Sequence, residues 1–466
     1  MVRLNKKNMN LLKPLAIFTF VFLFYQNISA QQRVWTLREC IDFAMDNNVS
    51  IKQGNLGLEA TKIVSQQAKL SYIPDGGIQS GYQLSMGRSL DPTTYNFIEN
   101  TYVNSTNISA NIGTTIFDGF RKYYTVKRSL SEIKVSEIEV EVLKNNISLS
   151  ITRFYYNILL NKEVIASIEN QINISNASIA KMSRLVEEGA APDEQLQNLL
   201  MQQQNEIYSL TESKGMLQAS IVDLCSLLNI DNTDGFDIIQ DDDTDMYLEN
   251  SIENIINSAM TLPQIEVVNQ KLLSAKYAIK IAKSDLYPSL SFNSSYSSSY
   301  SSTRRQVAFD ENGTPIIVDG AIAYKNYPFI NQIYDNRTAI FGFNLNIPIL
   351  SAFHVKKKIQ LSRNNFKQLQ YEVQNVEKNV KDEVRKLYID VQTAKEKYST
   401  SMAAVDHGTK IVSYAENKLN NGLTTITDYI IAKNNILISE AQLSRAKYEY
   451  LLKLKILKFY YTQCIY

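Results

Sequence analysis

The chain has 466 residues, 44% of them hydrophobic, with 48 Lys and Arg balanced against 47 Asp and Glu. With the two signs interspersed there is no field to attract nucleic acid, which is excluded as a partner. Two histidines, His354 and His407, and three cysteines, Cys40, Cys225 and Cys464, show no metal-like or C-x-x-C spacing, so no metal, cofactor or catalytic residue is assigned and an enzyme is not expected; a single disulfide stays open.

Taken in order, Met1 to Ala30 comes first. Lys6, Lys7 and Lys13 precede an apolar run from Leu15 to Phe24, and Ile28-Ser29-Ala30 places a small residue at the end. This is the layout of a secretory signal peptide, with cleavage expected before Gln31 and a retained signal anchor as the alternative. No later stretch is apolar for long enough to cross a bilayer as a helix.

The remainder reads as a duplication. Residues from about 110 to 228 recur 233 positions later: Asn111 with Asn344, Phe120 with Phe353, Tyr155 with Tyr388, Gly189 with Gly422, Leu224 with Leu457. Upstream the spacing is 214, joining Ile51 to Ile265, Pro74 to Pro288 and Tyr82 to Tyr296, so an excess of 19 residues sits between Tyr296 and about Phe341. The expected organisation is a first repeat at 31–235, an acidic linker at 236–250 around Asp241 to Asp245, and a second repeat at 251–466 with a longer outer loop at 301–337.

Each repeat contains two stretches of period two. Ile78 to Met86 and Ile108 to Ile116 alternate apolar with small polar residues in the first half, as do Leu290 to Tyr300 and Phe341 to Ile349 in the second. Strands of about 9–11 residues with one apolar face suit an outer-membrane β-barrel, but the smallest closed barrels have about eight strands, so four would need further copies. A soluble antiparallel sheet packed on helices is the alternative. The segments 88–107 and 301–337 read as loops.

A long helix follows each pair of strands. There is neither glycine nor proline between Gly119 and Gly189, and Ile151, Ile158, Ile165, Ile172, Ile179 and Val186 recur every seven residues, with Val384, Val391, Tyr398, Val405, Val412 and Leu419 as counterparts. A strict seven-residue repeat imposes left-handed supercoiling. The period resumes after Gly189 and Gly422, which reads as two helical hairpins. A dimeric coiled-coil rod would give the same periodicity.

These features together resemble the TolC-like outer-membrane efflux protein family, over roughly Trp35 to Phe459. Thr36-Leu37-Arg38-Glu39-Cys40-Ile41 is similar to the family's opening helix, and Ile116-Phe117-Asp118-Gly119-Phe120, with Pro348-Ile349-Leu350-Ser351-Ala352-Phe353, to its strand-to-helix crossings. The resemblance implies a mainly α fold with β: coiled-coil-like helices forming an α-barrel, and four membrane strands per chain contributing to a homotrimeric twelve-stranded β-barrel. It also implies an outer-membrane location in a Gram-negative cell with a periplasmic extension, and an efflux or secretion role with outer-membrane lipid, a periplasmic membrane-fusion adaptor and an inner-membrane pump as partners. Gly189, Ala190, Gly422 and Leu423 would be the adaptor-docking tips. Asp428 would match one of two pore-constricting carboxylates, the other position being Ile431. A structural or adhesive trimer without transport is the rival function.

Overall fold

The computed structural model describes residues 34–90, 95, 97–240, 251–350 and 353–464. The expected leader, the acidic run Asp241 to Asp245, Asp91-Pro92 and Ser351-Ala352 lie outside them. Two compact units divide the chain, one drawing on the segments up to Leu56, Ile138–Glu266 and from Asn375, the other on Gly57–Glu137 and Val267–Gln374. Each unit thus takes segments from both halves of the sequence.

The first unit is helical. It opens with β1 (Val34–Trp35) and α1 (Leu37–Asn47). Helix α1 begins where the sequence offers Thr36 and Glu39 three apart: the Thr36 hydroxyl accepts from the Glu39 amide at 3.2 Å, and the Glu39 carboxylate accepts from the Thr36 amide at 2.9 Å, a capping box that satisfies two otherwise unpaired donors. β1 runs parallel to β4 (Asp237–Ile238), so part of the segment expected to be an acidic linker is built into the core. The Tyr155 hydroxyl donates to the Trp35 and Ile239 carbonyls, and the Lys162 ammonium donates to the Ile238 carbonyl at 2.7 Å, fixing that strand pair.

Around this pair packs one apolar cluster that includes Ile41, Ile151, Ile158, Leu224, Ile255, Val384 and Leu457. The seven-residue seam supplies it from the long helices α3 (Arg121–Glu187) and α8 (His354–Asn420) and the return helices α4 (Asp193–Leu228) and α9 (Ile426–Thr462); α5 (Ile252–Ala259) closes one side. Both long helices have 67 residues and begin 233 positions apart. On α3 the expected seam fades after Ile165: Ile172, Ile179 and Val186 are half-buried, and the buried positions are Ile168, Gln171, Ser175 and Met182. A straight 3.6-residue helix drifts against a seven-residue repeat, which turns different residues inward along its length.

Cys40 and Cys225 are buried in this unit and Cys464 is exposed. Burial pushes the Cys225 thiol up to about 11. Alkylation of the native protein at about pH 8 is therefore expected to spare Cys225 until denaturant opens the core, because the thiolate is the nucleophile. Peptide mapping of labelled protein checks this.

The second unit is a sheet on helices. Helices α2 (Val49–Leu70) and α6 (Pro263–Ser284) are both 22 residues long and start 214 positions apart. Strands β2 (Asp75–Leu90), β3 (Phe97–Phe117), β5 (Ser289–Ser301) and β10 (Thr338–Asn346) form one antiparallel sheet in the order β10-β5-β3-β2. The first-half strands are longer than the alternation predicts. The ladder continues through Ser89↔Ile98 and Leu90↔Phe97, so much of 88–107 is strand rather than loop. Polar residues there conceal the strand, since the backbone ladder needs no side-chain apolarity. β10 ends at Asn346, before Pro348, which lacks the amide to continue a ladder. The segment 301–337 is likewise not a plain loop. It holds β6 (Arg305–Val307) paired with β9 (Tyr324–Asn326), β7 (Ile317–Val318) paired with β8 (Ala321–Ile322), and a short helix α7 (Phe329–Asp335).

Candidate functional site

Register decides what the sheet presents. Ile78 faces Ala110, Ala110 faces Tyr296 and Tyr296 faces Ala339; one step along, Thr114 faces Phe292 and Phe292 faces Phe343. The four alternating patterns therefore fall in phase, and one side of the sheet is apolar across all four strands. It is exposed in the single chain: Phe341 is 73% and Phe343 72% accessible. Exposed aromatics stand at both ends of that side, with Tyr82 and Tyr102 towards the loops and Phe117, Phe120, Tyr287 and Phe353 towards the helices.

The opposite face is polar. Gln79, Asn111, Thr115, Ser291, Asn293 and Ser295 line a hollow of about 840 Å³ there. Asp75 and Lys122 add one charge of each sign to its lining, so the surface can be wetted without a strong net preference for either sign of solute. Strands β2 and β10 are the two edges, with no strand beyond them among the described residues. Their outer rows of N–H and C=O groups are a template for another chain.

Sheet passes to helix at a strained crossing. Gly119 has φ +67° and Phe120 φ +67°, and Phe353, the counterpart of Phe120, has φ +59°. Beyond it, Asp285 at the end of α6 pairs with Arg121 and with Lys358, the latter at 2.7 Å. Neither α3 nor α8 has an acidic residue in its first turn; the Asp118 carboxylate, just before α3, accepts from the Lys122 amide at 3.1 Å, and Asp285 adds negative charge near both helix N-termini.

The hairpin turns are built alike. The Ala190 amide donates to the Leu185 carbonyl at 2.7 Å and the Leu423 amide to the Lys418 carbonyl at 2.8 Å, with Gly189 at φ +71° and Gly422 at φ +70° supplying the left-handed residue of a Schellman motif. Met182, Leu199, Ile426 and Tyr429 draw both hairpins into a single small core. Leu423 stays outside it, 75% exposed.

Asp428 has a local task that the sequence reading missed. Its carboxylate accepts from the Thr425 hydroxyl at 2.7 Å, the Thr424 hydroxyl at 3.0 Å and the Thr425 amide at 3.4 Å, closing a capping box on α9. The Thr425 and Thr424 hydroxyls hold its carboxyl below the ordinary value. Thr425 three residues ahead of Asp428 was the available signal.

A second feature went unread. Glu206 on α4 is 2% exposed and accepts from Gln171 at 3.2 Å, Ser175 at 3.0 Å and Gln202 at 3.1 Å; Lys433 on α9, 4% exposed, lies near it over the Tyr429 ring. Met201, Tyr208 and Val222 on α4, at multiples of seven, are exposed as a second apolar stripe.

Residues 260–460 match the outer membrane efflux protein family. The fold is that of outer-membrane channels. The fold is shared with the outer membrane channel CmeC of Campylobacter jejuni, at TM-score 0.74 and 16% identity over 91% of this chain and 85% of that one. It is shared also with the outer membrane protein VceC of Vibrio cholerae, at 0.73 and 12% over 92% and 95%, and with the open MtrE outer membrane channel of Neisseria gonorrhoeae, at 0.67 and 11% over 91% and 88%. No curated protein matches in sequence.

Proposed function

We propose that this chain is one third of an outer-membrane exit duct serving a tripartite efflux or secretion system. It would pass substrates from an inner-membrane pump and a periplasmic adaptor to the exterior. The in-phase apolar face of the sheet, framed by aromatics and bounded by two open strand edges, carries this reading. Strands facing lipid must have every backbone group paired, so the open edges call for neighbouring copies. Three chains supply twelve strands, with the apolar face to lipid and the Asn- and Ser-rich face to a wet lumen. The exposed heptad stripe on α4 supports helix-to-helix contact with another copy in the same way. Equal helix lengths at the spacings 233 and 214 support descent of the two halves from one duplicated unit.

Purified protein added to a planar bilayer is expected to insert as trimers and give long-lived ohmic steps with weak ion selectivity. Stable trimers that insert without conducting would favour the structural or adhesive role instead.

The hairpin turns at Gly189, Ala190, Gly422 and Leu423 are the proposed adaptor contact, and Asp428, close beside them on α9, the proposed constriction. An apolar side chain left bare on an otherwise packed turn suits burial by a partner helix. Leu423→Glu is expected to cut capture of the cognate adaptor by about tenfold or more. Thermal stability should stay within about 0.5 kcal/mol, since the residue is exposed; pull-down with a melting curve on the same preparation checks both.

A further inference from the structure

The outer segment of the second half, 301–337, carries the excess of 19 residues, and its helix α7 lies against the apolar side of the sheet. The Ser298 hydroxyl donates to the Ile333 carbonyl at 2.6 Å, and the Phe329 ring sits 5.0 Å from that of Tyr300. Gln332, fully buried, accepts from the Ser301 amide at 3.0 Å and donates to the Ser301 carbonyl at 3.1 Å, standing in for a ladder partner at the end of β5. Helix and sheet do not close on each other. A cavity of about 340 Å³ remains between them, walled by Ile78, Ile108 and Tyr296 from the sheet and by Ile330, Ile333 and Tyr334 from α7. Arg337 also lines it, exposed, its guanidinium 3.6 Å from the centre of the Tyr334 ring and its Nε donating to the Tyr334 carbonyl at 2.6 Å.

We propose that this cavity holds an acyl chain of a phosphate-bearing lipid whose headgroup is bound by Arg337. The inference rests on the reading that the apolar face of the sheet meets lipid. That face runs without a break into the cavity, and its size, at the small end of ligand sites, suits a narrow apolar chain. An arginine carries five donors in a planar fork that matches phosphate, and stacking on Tyr334 holds that fork in one orientation. Tyr334, 64% exposed, and Phe329, 47%, place aromatic rings where a headgroup region would meet them. The insertion would thus seat one lipid beside α7, near the outer ends of β5 and β10, and fasten α7 through it.

The test is native mass spectrometry of the detergent-purified full chain, mixed in separate arms with phosphatidylglycerol, lipid A and diacylglycerol. Phosphate-bearing lipid is expected to be retained about tenfold over diacylglycerol, the worth of one charge-assisted contact. Arg337→Gln should bring that ratio to within about twofold, Arg337→Lys should keep part of it, and Ile330→Asp, at an exposed position that does not endanger folding, should remove retention in every arm. Preference for phosphatidylglycerol or for lipid A names the source, and either supports the proposal. Equal retention of diacylglycerol, or retention indifferent to Arg337→Gln, overturns it. Bilayer conductance on the same protein separates the levels. A chain that inserts and conducts without Arg337-dependent lipid sinks this inference alone, whereas one that never inserts sinks the membrane reading beneath it.

Discussion

Gly119→Ala is expected to destabilise the protein by about 2–5 kcal/mol, the sum of a left-handed residue and an overpacked contact. Gly189→Ala and Gly422→Ala should each cost only about 1 kcal/mol. The three glycines share nearly one backbone conformation, at φ +67°, +71° and +70°. They differ in their surroundings. A Cβ on Gly119 would stand 2.6 Å from the Ser284 carbonyl oxygen and 2.8 Å from Tyr287 Cβ, whereas nothing lies within 4 Å of a Cβ on either turn glycine. Backbone oxygen and a Cβ cannot swing aside as a side-chain tip can, so α6 would have to be displaced where Asp285 pairs with Arg121 and Lys358. Thermal melts of the three variants read the difference. Equal losses would mean that the crossing is not closely packed and that Gly119 serves only its torsion.

Glu206→Ala is expected to cost about 3–5 kcal/mol, the range for removing one member of a buried charged set. The substitution strips the acceptor from Gln171, Ser175 and Gln202 at once and takes a neighbouring negative charge from Lys433. Lys433→Met should cost less than Glu206→Ala, because it removes a desolvated ammonium while leaving Glu206 its three hydrogen-bond donors. Desolvation lowers the Lys433 pKa, with Glu206 and Glu416 pulling against it, so around neutral pH the protein keeps a charge in a place that disfavours it. A lysine with a lowered folded-state pKa makes the fold more stable as pH climbs through that value towards its ordinary one near about 10.4. Wild-type stability should therefore gain across that alkaline window relative to Lys433→Met, which lacks the gain. Denaturant titrations of both proteins at several pH values check the sign.

Why such a costly group is retained follows from its position. Gln171, Ser175, Glu206 and Lys433 lie between the large apolar cluster and the small core under the hairpin turns. Polar groups there break the apolar seam and reward one registry of α3, α4 and α9, because any slip leaves several buried donors unpaired. The seven-residue period hid this. Gln171 and Ser175 lie off the Ile165, Ile172, Ile179 row, and only the drift of a straight helix against that row turns them inward.

The strands were legible to differing degrees. Leu290 to Tyr300 alternates because Leu290, Phe292, Tyr296 and Tyr300 all stand on one side of β5, while the outer parts of β2 and β3, from Gly87 to Leu90 and from Phe97 to Tyr102, lose the alternation though the ladder persists. In the same way α7 left little trace in the sequence. Seven residues, Phe329 to Asp335, are too few to establish a helical period, and contacts to Ser298, Tyr300 and Ser301 hold them in place.

Local chemistry written in the chain was enough to mark the long helices, the inner parts of the four strands and where both hairpins turn. Chain breakers, the periods of two and seven, and glycine at two turns act within a few residues, so a linear reading reaches them. Phase, crowding and burial were decided by the tertiary structure alone. Whether four apolar faces fall on one side depends on Ala110 meeting Tyr296 and Phe292 meeting Phe343, whether Gly119 tolerates a Cβ depends on Ser284 and Tyr287, and whether Glu206 is buried depends on helices far apart in the chain. Each of these is a contact between residues distant in sequence, and the energy of such a contact exists only once the chain has folded.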